Sequence, residues 1–208
     1  MKSPDILTVF DIEKLQQLQD EFSEVTGIAS WITDAEGTPV TAPSNMSRLC
    51  REFIQEMGKG QKQCYLMNQH LAKNKKHKIS IDICTRTGLW EAGVGIFIND
   101  IHIGSWMIGQ VRPDDDAGQK KVKAVAKEFG FDINELQEAY NEIPVMDKTR
   151  FSQIAKMLQV LVAMYTDNAY KSMKVEASNR ELTRLYENIP DIIWKGKYDV
   201  NSGEFYDT

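Results

Sequence analysis

The 208-residue sequence lacks several features that would assign it to a common protein class. It has no uninterrupted run of about 18 apolar residues, which a membrane-spanning helix requires. Its N-terminus has no apolar signal-peptide core. Its three cysteines are an odd number, which suits reduced thiols better than a disulfide framework. These absences predict a cytoplasmic protein with no membrane segment in this stretch of chain.

The sequence also has fewer basic residues than acidic ones. Lysine and arginine total 25 against 30 acidic residues, which gives a formal net charge of −5. A nucleic-acid-binding surface needs clustered lysine and arginine side chains. The one basic cluster, at residues 73–78, is short and is typical of a solvated helix end or loop. The sequence therefore predicts no nucleic-acid partner.

Catalytic signatures are missing as well. The Gly93-x-Gly95 pair lies inside a predicted strand and does not form a phosphate-binding loop. Cys64 and Cys84 are conceivable nucleophiles, and the candidate bases are His70 and His102. Nothing marks a third group that would orient the base, nor an oxyanion hole. We therefore expect this segment to be non-catalytic.

The densest apolar patterning lies between Ile79 and Val111. Isoleucine alternates with polar residues at 79–84, and apolar segments at 89–98 and 101–111 are separated by Asn-Asp. Such alternation predicts an antiparallel sheet. In its last strand, strict alternation places Trp106 and Gln110 on one face. Met107 and Gly109 then lie on the other face, which is the predicted seat of a long C-terminal helix.

Helical spacing of apolar residues predicts helices before and after this sheet, at 12–26, 48–57, 61–74 and 133–143 and before Gly130. Two further strands are predicted at 28–33 and 38–41, and Pro39 places the second of them at a sheet edge. The order of elements predicts an α+β fold, with a PAS/GAF-like antiparallel sheet flanked by helices and followed by a long C-terminal signalling helix.

From Asp147 a helical pattern continues for nearly forty residues without glycine or proline. Residues 157, 161, 164, 168, 171, 175, 178, 182 and 185 follow the spacing of a coiled-coil seam, although the middle of the seam is polar. The pattern predicts a homodimer formed through this helix.

Several motifs of the chain resemble those of the PocR sensory domain. They are Leu49-Cys50-x-x-Phe53, the later Cys64, the segment Cys84-x-x-x-Gly88-Leu89-x-Glu91, then Ile103-Gly104 and Gly109-Gln110-Val111. The resemblance covers roughly residues 6–165. It implies a PAS-like ligand-binding module of transcription regulators and sensor kinases, which senses small hydrocarbon derivatives such as short alcohols and diols.

The last residues resemble the opening of a PAS domain, with LYENIPDIIW followed by D-x-N-x-G. The predicted organisation is therefore a PocR-like sensory domain at 1–147, a linker helix at 148–187 and the start of a PAS domain at 188–208. It implies a multidomain signal-transduction parent, such as the histidine kinase of a two-component system.

Cys50, Cys64 and Cys84 are the most distinctive chemical candidates. Cys50 lies in the first turn of its predicted helix, where the helix dipole favours a thiolate. The three thiols either line a ligand pocket, pack as small buried hydrophobes, or form a metal- or redox-responsive site with His70. Their spacings of 13 and 19 residues between successive cysteines, outside the pattern Cys-x-x-Cys, give no strong metal signal. We therefore expect no cofactor, with a thiolate-bound metal as the alternative.

Three tryptophans, Trp31, Trp90 and Trp106, fall on three predicted strands, where they either line a pocket for a small organic ligand or form core. Gln110 on such a face needs a polar partner, which a ligand hydroxyl could supply. Glu91 has the opposite parity to Trp90 and either joins the pocket or faces solvent. The predicted ligand-binding residues are thus the three tryptophans, the three cysteines, Glu91 and Gln110. A dimerisation platform without a ligand is the remaining alternative.

Overall fold

The structure is a computed structural model, and it describes residues 5–55, 58–72, 79–115, 117–187 and 196–207. The basic cluster at 73–78 and the larger part of the predicted PAS motif LYENIPDIIW, residues 188–194, lie outside the described residues. The elements are α1 (Ile6–Val9), α2 (Ile12–Thr26), β1 (Ala29–Asp34), a π-helix (Leu49–Ile54), α3 (Gly58–Ala72), β2 (Ile79–Ile83), β3 (Trp90–Ile98), β4 (Ile101–Val111), α4 (Ala117–Phe129), α5 (Ile133–Asn141), α6 (Lys148–Glu187), β5 (Gly196–Asp199) and β6 (Glu204–Asp207).

The first four strands form an antiparallel sheet in the order β1-β4-β3-β2. The predicted α+β class, with flanking helices and a long C-terminal helix, is confirmed. The predicted edge strand at 38–41 is wrong. The segment runs beside β1 through one isolated bridge, from Pro39 to Thr33, and a few backbone hydrogen bonds such as Val40 N–H to Ile32 O, but it forms no continuous strand; Ser44, beyond it, bridges Ser30. Two prolines, Pro39 and Pro43, interrupt it and cannot donate ladder hydrogen bonds.

Strand β4 contains two irregularities in its pairing with β3. Trp90 pairs with Val111 whereas Glu91 pairs with Gly109, so Gln110 is an extra residue, and its φ is +58°. A second shift leaves Ile103 unpaired in the same way. Each extra residue reverses the alternation of side chains between the two faces. The prediction that Trp106 and Gln110 share a face is therefore wrong.

One face of the sheet packs against α2 and the first half of α6. Trp106 is only 1% exposed and makes an edge-to-face contact with Phe22 of α2, with ring centroids 5.9 Å apart. From α6, Phe151 and Leu158 are fully buried in the same cluster. The predicted seat of the C-terminal helix, on the face of Met107 and Gly109, is therefore wrong, because alternation defines two faces but not which of them a helix covers.

The opposite face is covered by shorter elements. Met107 packs with Ala29, Trp31 and Leu71 of α3. A separate apolar cluster joins the π-helix to α4 and α5 through residues that include Leu49, Phe53, Leu89, Val122, Leu136 and Tyr140. Helix α3 begins at Gly58, three residues before the predicted start. The space between these two clusters holds the candidate site.

The chain divides into two compact units, one up to Tyr170 and one from Lys171 onward. The second unit contains the antiparallel pair β5 and β6, which confirms the predicted strand–turn–strand there. In the turn, Gly203 has a φ of +72°. Among the helices of the described segments, none is both long enough and apolar enough to cross a membrane.

Candidate functional site

A small cavity lies between the sheet, the π-helix and α3, and we call it the Glu91 cavity. Its volume is about 40 Å³. Its wall includes Trp31, Cys50, Cys64, Cys84, Glu91 and Gln110. Six of the eight predicted ligand-binding residues are therefore brought together at one place, although they come from five separate elements and the turn after β2.

The two remaining tryptophans lie elsewhere. Trp106 belongs to the core on the opposite face, where its Nε1 donates a hydrogen bond of 2.7 Å to Ser30 Oγ. Trp90 packs at the edge of that same core, and Lys148 Nζ lies 5.3 Å from the centre of its ring. Ordinary alternation along β3 places Trp90 on the face opposite Glu91, and the Gln110 bulge places Trp106 on the face opposite Gln110. Neither Trp90 nor Trp106 therefore lines the cavity.

Glu91 is the most unusual group of the cavity. It is 8% exposed, and its carboxylate has no hydrogen-bond or ion-pair partner in the described segments. Burial raises its pKa from 4.5 to about 7. Its place on the sheet depends on Gly109, its register partner, since a Cβ there would lie 2.9 Å from the Cγ of Glu91. Glycine at 109 thus leaves room for the carboxylate.

Gln110 lines the cavity because its bulge turns the side chain away from the core. Its Oε1 accepts a hydrogen bond of 2.8 Å from the backbone N–H of Ser47, just before the π-helix. That bond fixes the orientation of the side-chain amide and leaves its Nε2 group unused. Within the described residues Nε2 has no partner and can donate to a ligand.

The three thiols are protonated near neutral pH. Burial raises the pKa of Cys50 well above its usual value, that of Cys64 to about 12, and that of Cys84 as well. The expected thiolate at Cys50 is therefore wrong, because desolvation in the cavity wall outweighs the helix dipole. No disulfide joins these three cysteines, all of which are in described segments. Their sulfurs serve as soft, weakly polar wall atoms.

The metal alternative gains no support from the arrangement. His70 lies on the exposed side of α3, with Nε2 3.7 Å from Asp82 Oδ2, and does not line the cavity. In the part of the chain that the structure describes, no three Cys, His, Asp or Glu side chains are placed to hold a metal ion together.

The segment from Pro39 to Met46 forms one wall of the cavity and is tied to α2 by Gln19. The fully buried Gln19 donates through Nε2 to Ala42 O (2.8 Å) and to Ser44 Oγ (2.6 Å). Its Oε1 accepts from Thr41 Oγ1 (2.5 Å). Sequence reasoning missed this residue, although a polar side chain on the helix face of Leu15 and Phe22 was a visible signal.

A larger and more open cleft of about 650 Å³ lies between the β3–β4 hairpin and α6. Its lining includes Phe97, Ile98, Val162, Met164 and Tyr170. No sequence pattern indicated it, because it depends on where α6 crosses the sheet.

Comparison with known protein families decides the identity of the fold. A family model described as the sensory domain found in PocR matches residues 8–170. The chain belongs to this family. The predicted resemblance is thus confirmed, and the PocR-like region is a sensory domain. A search of curated proteins finds no match to the chain.

Proposed function

We propose that this PocR sensory domain binds a small organic molecule in the Glu91 cavity and transmits the bound state through α6. The observation that supports this proposal is the buried, unpartnered carboxyl group of Glu91 in the cavity wall. Burying such a group without a hydrogen bond costs stability. A ligand that donates a hydrogen bond would remove that cost, which is what a binding site for a polar ligand requires.

The walls restrict the size of the ligand. A volume of about 40 Å³ corresponds to roughly three water-sized probes. The site therefore suits molecules of a few non-hydrogen atoms, such as short alcohols, diols or related hydrocarbon derivatives. Trp31, Ile54 and the thiols offer apolar surface to their carbon atoms, whereas Glu91 and Gln110 offer polar contacts. The proposal includes no metal or other cofactor.

Transmission would start at the Pro39–Met46 wall. A ligand that binds one position of this wall more tightly shifts the population toward that position. Gln19 links the wall to α2. The α2 side chain Phe22 shares a core with α6, and Phe10 stacks on Tyr165 of α6 with centroids 5.5 Å apart. These contacts give the wall a physical connection to the C-terminal helix.

The outward side of α6 supports a homodimer as part of the proposal. Large apolar side chains recur there at coiled-coil spacing and are between 45% and 60% exposed. They are Met157, Met164, Val175, Leu182 and Leu185. In a longer cytoplasmic signalling protein, such as a histidine kinase, this helix would lead from the sensory domain at 1–147, through residues 148–187, to a PAS domain that begins at 188.

Thermal-shift and calorimetric titration with short alcohols, diols and amines tests the proposal. A ligand at about 100 times its Kd adds about 2.7 kcal/mol to the free energy of unfolding. This raises Tm by roughly 5–10 °C for a domain of this size. The proposal is wrong if none of these compounds raises Tm or gives a heat of binding.

A further inference from the structure

We infer that the Glu91 cavity selects a short primary amino alcohol, bound as its ammonium form, over a neutral diol of the same size. This inference rests on the proposed function of the cavity as a ligand site. It follows from the charges, the unused hydrogen-bonding atoms and the volume of the cavity.

The charge balance of the wall favours a cation. Within the described residues, no lysine, arginine or histidine lines the cavity, and Glu91 is its one carboxylate. Two cationic side chains near the cavity thiols are engaged in other contacts. Arg86 packs over Phe129 and pairs with Glu128 at 3.8 Å, and Lys121 Nζ donates to the carbonyl oxygen of Cys84 at 3.1 Å. An ammonium ligand would supply the positive charge that the protein does not.

The cavity wall also offers hydrogen-bond acceptors that the protein leaves unused. Asn68, which is 3% exposed and lines the cavity, donates through Nδ2 to Gly37 O at 3.2 Å, which leaves its Oδ1 as an acceptor. The buried Thr87 hydroxyl lies beside the Cys84 thiol in the cavity wall, and it can accept a further hydrogen bond as well as donate one. With the Glu91 carboxylate these atoms match an ammonium group, which has three donors and no acceptor.

Gln110 Nε2, whose amide oxygen is already bonded to Ser47, is an unused donor that suits a hydroxyl oxygen. A two- or three-carbon chain that carries an ammonium at one end and a hydroxyl at the other satisfies both kinds of atom. Such a molecule has four or five non-hydrogen atoms, which agrees with a volume of about 40 Å³. A diol satisfies the hydrogen bonds but leaves the carboxylate without a counter-charge.

The test compares 2-aminoethanol with ethane-1,2-diol, which have equal numbers of non-hydrogen atoms, by calorimetry on the full 208-residue chain at pH 7.5. Because hydrogen bonds between charged groups are the stronger kind, we expect 2-aminoethanol to bind roughly 10-fold or more tightly than the diol. Glu91→Gln keeps the size of the side chain and removes its charge. This variant should lose roughly 10-fold or more in affinity for the amine and less than about threefold for the diol. Glu138→Gln, which changes an exposed carboxylate of α5 outside the cavity, is the matched control and should change neither affinity.

The results separate the inference from the proposed function. If the diol binds as tightly as the amine, or if Glu91→Gln keeps its affinity for the amine, the ammonium inference is overturned while the cavity remains a ligand site. If neither compound nor any other short alcohol or amine binds, both fail together. An unchanged Tm of the ligand-free Glu91→Gln protein, or a raised one, establishes that the variant is folded.

Discussion

The side chains of Trp106 and Gln110 lie on opposite faces of β4, although the two residues are four positions apart, a spacing that places side chains on the same face of a regular strand. The bulge at Gln110 reverses the alternation, so the indole remains in the core against α2 and α6 while the amide lines the Glu91 cavity. One strand thereby contributes to both the proposed ligand site and the surface under α6.

This separation predicts different effects for two substitutions. Trp106→Phe removes the hydrogen bond to Ser30 and leaves a void, and should cost about 1–3 kcal/mol in the free energy of unfolding. It should leave ligand affinity within about twofold, since Trp106 does not line the cavity. Gln110→Met should lower ligand affinity instead. Urea unfolding and calorimetric titration of both variants measure these effects. Equal loss of affinity in both would contradict the assignment of the two faces.

Glu91 should make the stability of the ligand-free domain depend on pH. Its pKa is about 7 when folded, against 4.5 as the reference value, so between these pH values the folded state holds more protons than the unfolded state. The free energy of unfolding therefore falls as pH rises from about 4.5 through about 7. The difference corresponds to an upper limit on the order of 3 kcal/mol. This contribution of Glu91 to stability is fully present below about pH 4.5 and is lost as pH rises through about 7.

Urea midpoints between pH 5 and pH 8 check this dependence. The wild-type midpoint should fall across this range relative to Glu91→Gln, which cannot ionise at this position. Four other titratable side chains line the cavity with Glu91, namely Cys50, Cys64, Cys84 and Tyr65. On the neighbouring strand β2, the exposed Asp82 is the register partner of Glu91, and it lies 3.7 Å from His70. Parallel curves for the two proteins would show that Glu91 has an ordinary pKa.

The Gln19 network should hold the Pro39–Met46 wall in place. Gln19→Ala leaves Thr41 Oγ1 and Ala42 O without this partner and should cost about 1–3 kcal/mol in unfolding free energy. Gln17→Ala is the matched control, because Gln17 is an exposed glutamine on the same helix. The amides of Ile32 and Ser44 should exchange faster with solvent hydrogen in the Gln19→Ala variant. The Ile32 N–H donates to Thr41 Oγ1, and the Ser44 N–H donates to Ser30 O beside the Gln19 contacts. Equal stability of the two variants would argue against the network as a wall support.

The thiols should react slowly in the native protein. A pKa of about 12 for Cys64 lowers its thiolate fraction near neutral pH roughly a thousandfold relative to a pKa of about 9. A disulfide reagent at pH 7 should therefore modify the three cysteines slowly, and should modify all of them quickly in denaturant. Rapid reaction of a native thiol would revive the redox alternative.

Dimerisation through α6 should depend on its exposed leucines. Leu182→Lys combined with Leu185→Lys places charge at two positions of the predicted seam and should convert a dimer to a monomer in sedimentation experiments. Glu181→Lys, an exposed change outside this seam, should leave the dimer intact. A wild-type chain that is monomeric at all concentrations would exclude this mode of assembly.

The sequence was sufficient for the fold class, the family and the cluster of six residues around one cavity. Cys84, Gly88 and Glu91 belong to one turn and the strand beside it, so their proximity follows from local structure. The faces of the sheet were not predictable in this way. A glycine stands beside each extra residue, Gly104 after Ile103 and Gly109 before Gln110, but a strand glycine only suggests a bulge and does not specify which residue is the extra one. Gln19 and the cleft near Phe97 depend on contacts between distant segments, which periodicity does not specify.

The division of the sheet into two faces has a practical consequence. The cavity wall and the helix-packing surface have the strand backbones in common, but they use different side chains of β4. The chemical preference of the cavity can therefore be altered by substitutions at Glu91, Gln110 or Asn68 while the packing under α6 is left as it is. If the proposed function holds, the domain is a starting point for engineered biosensors, in which cavity variants would differ in ligand preference and share one packing surface under α6.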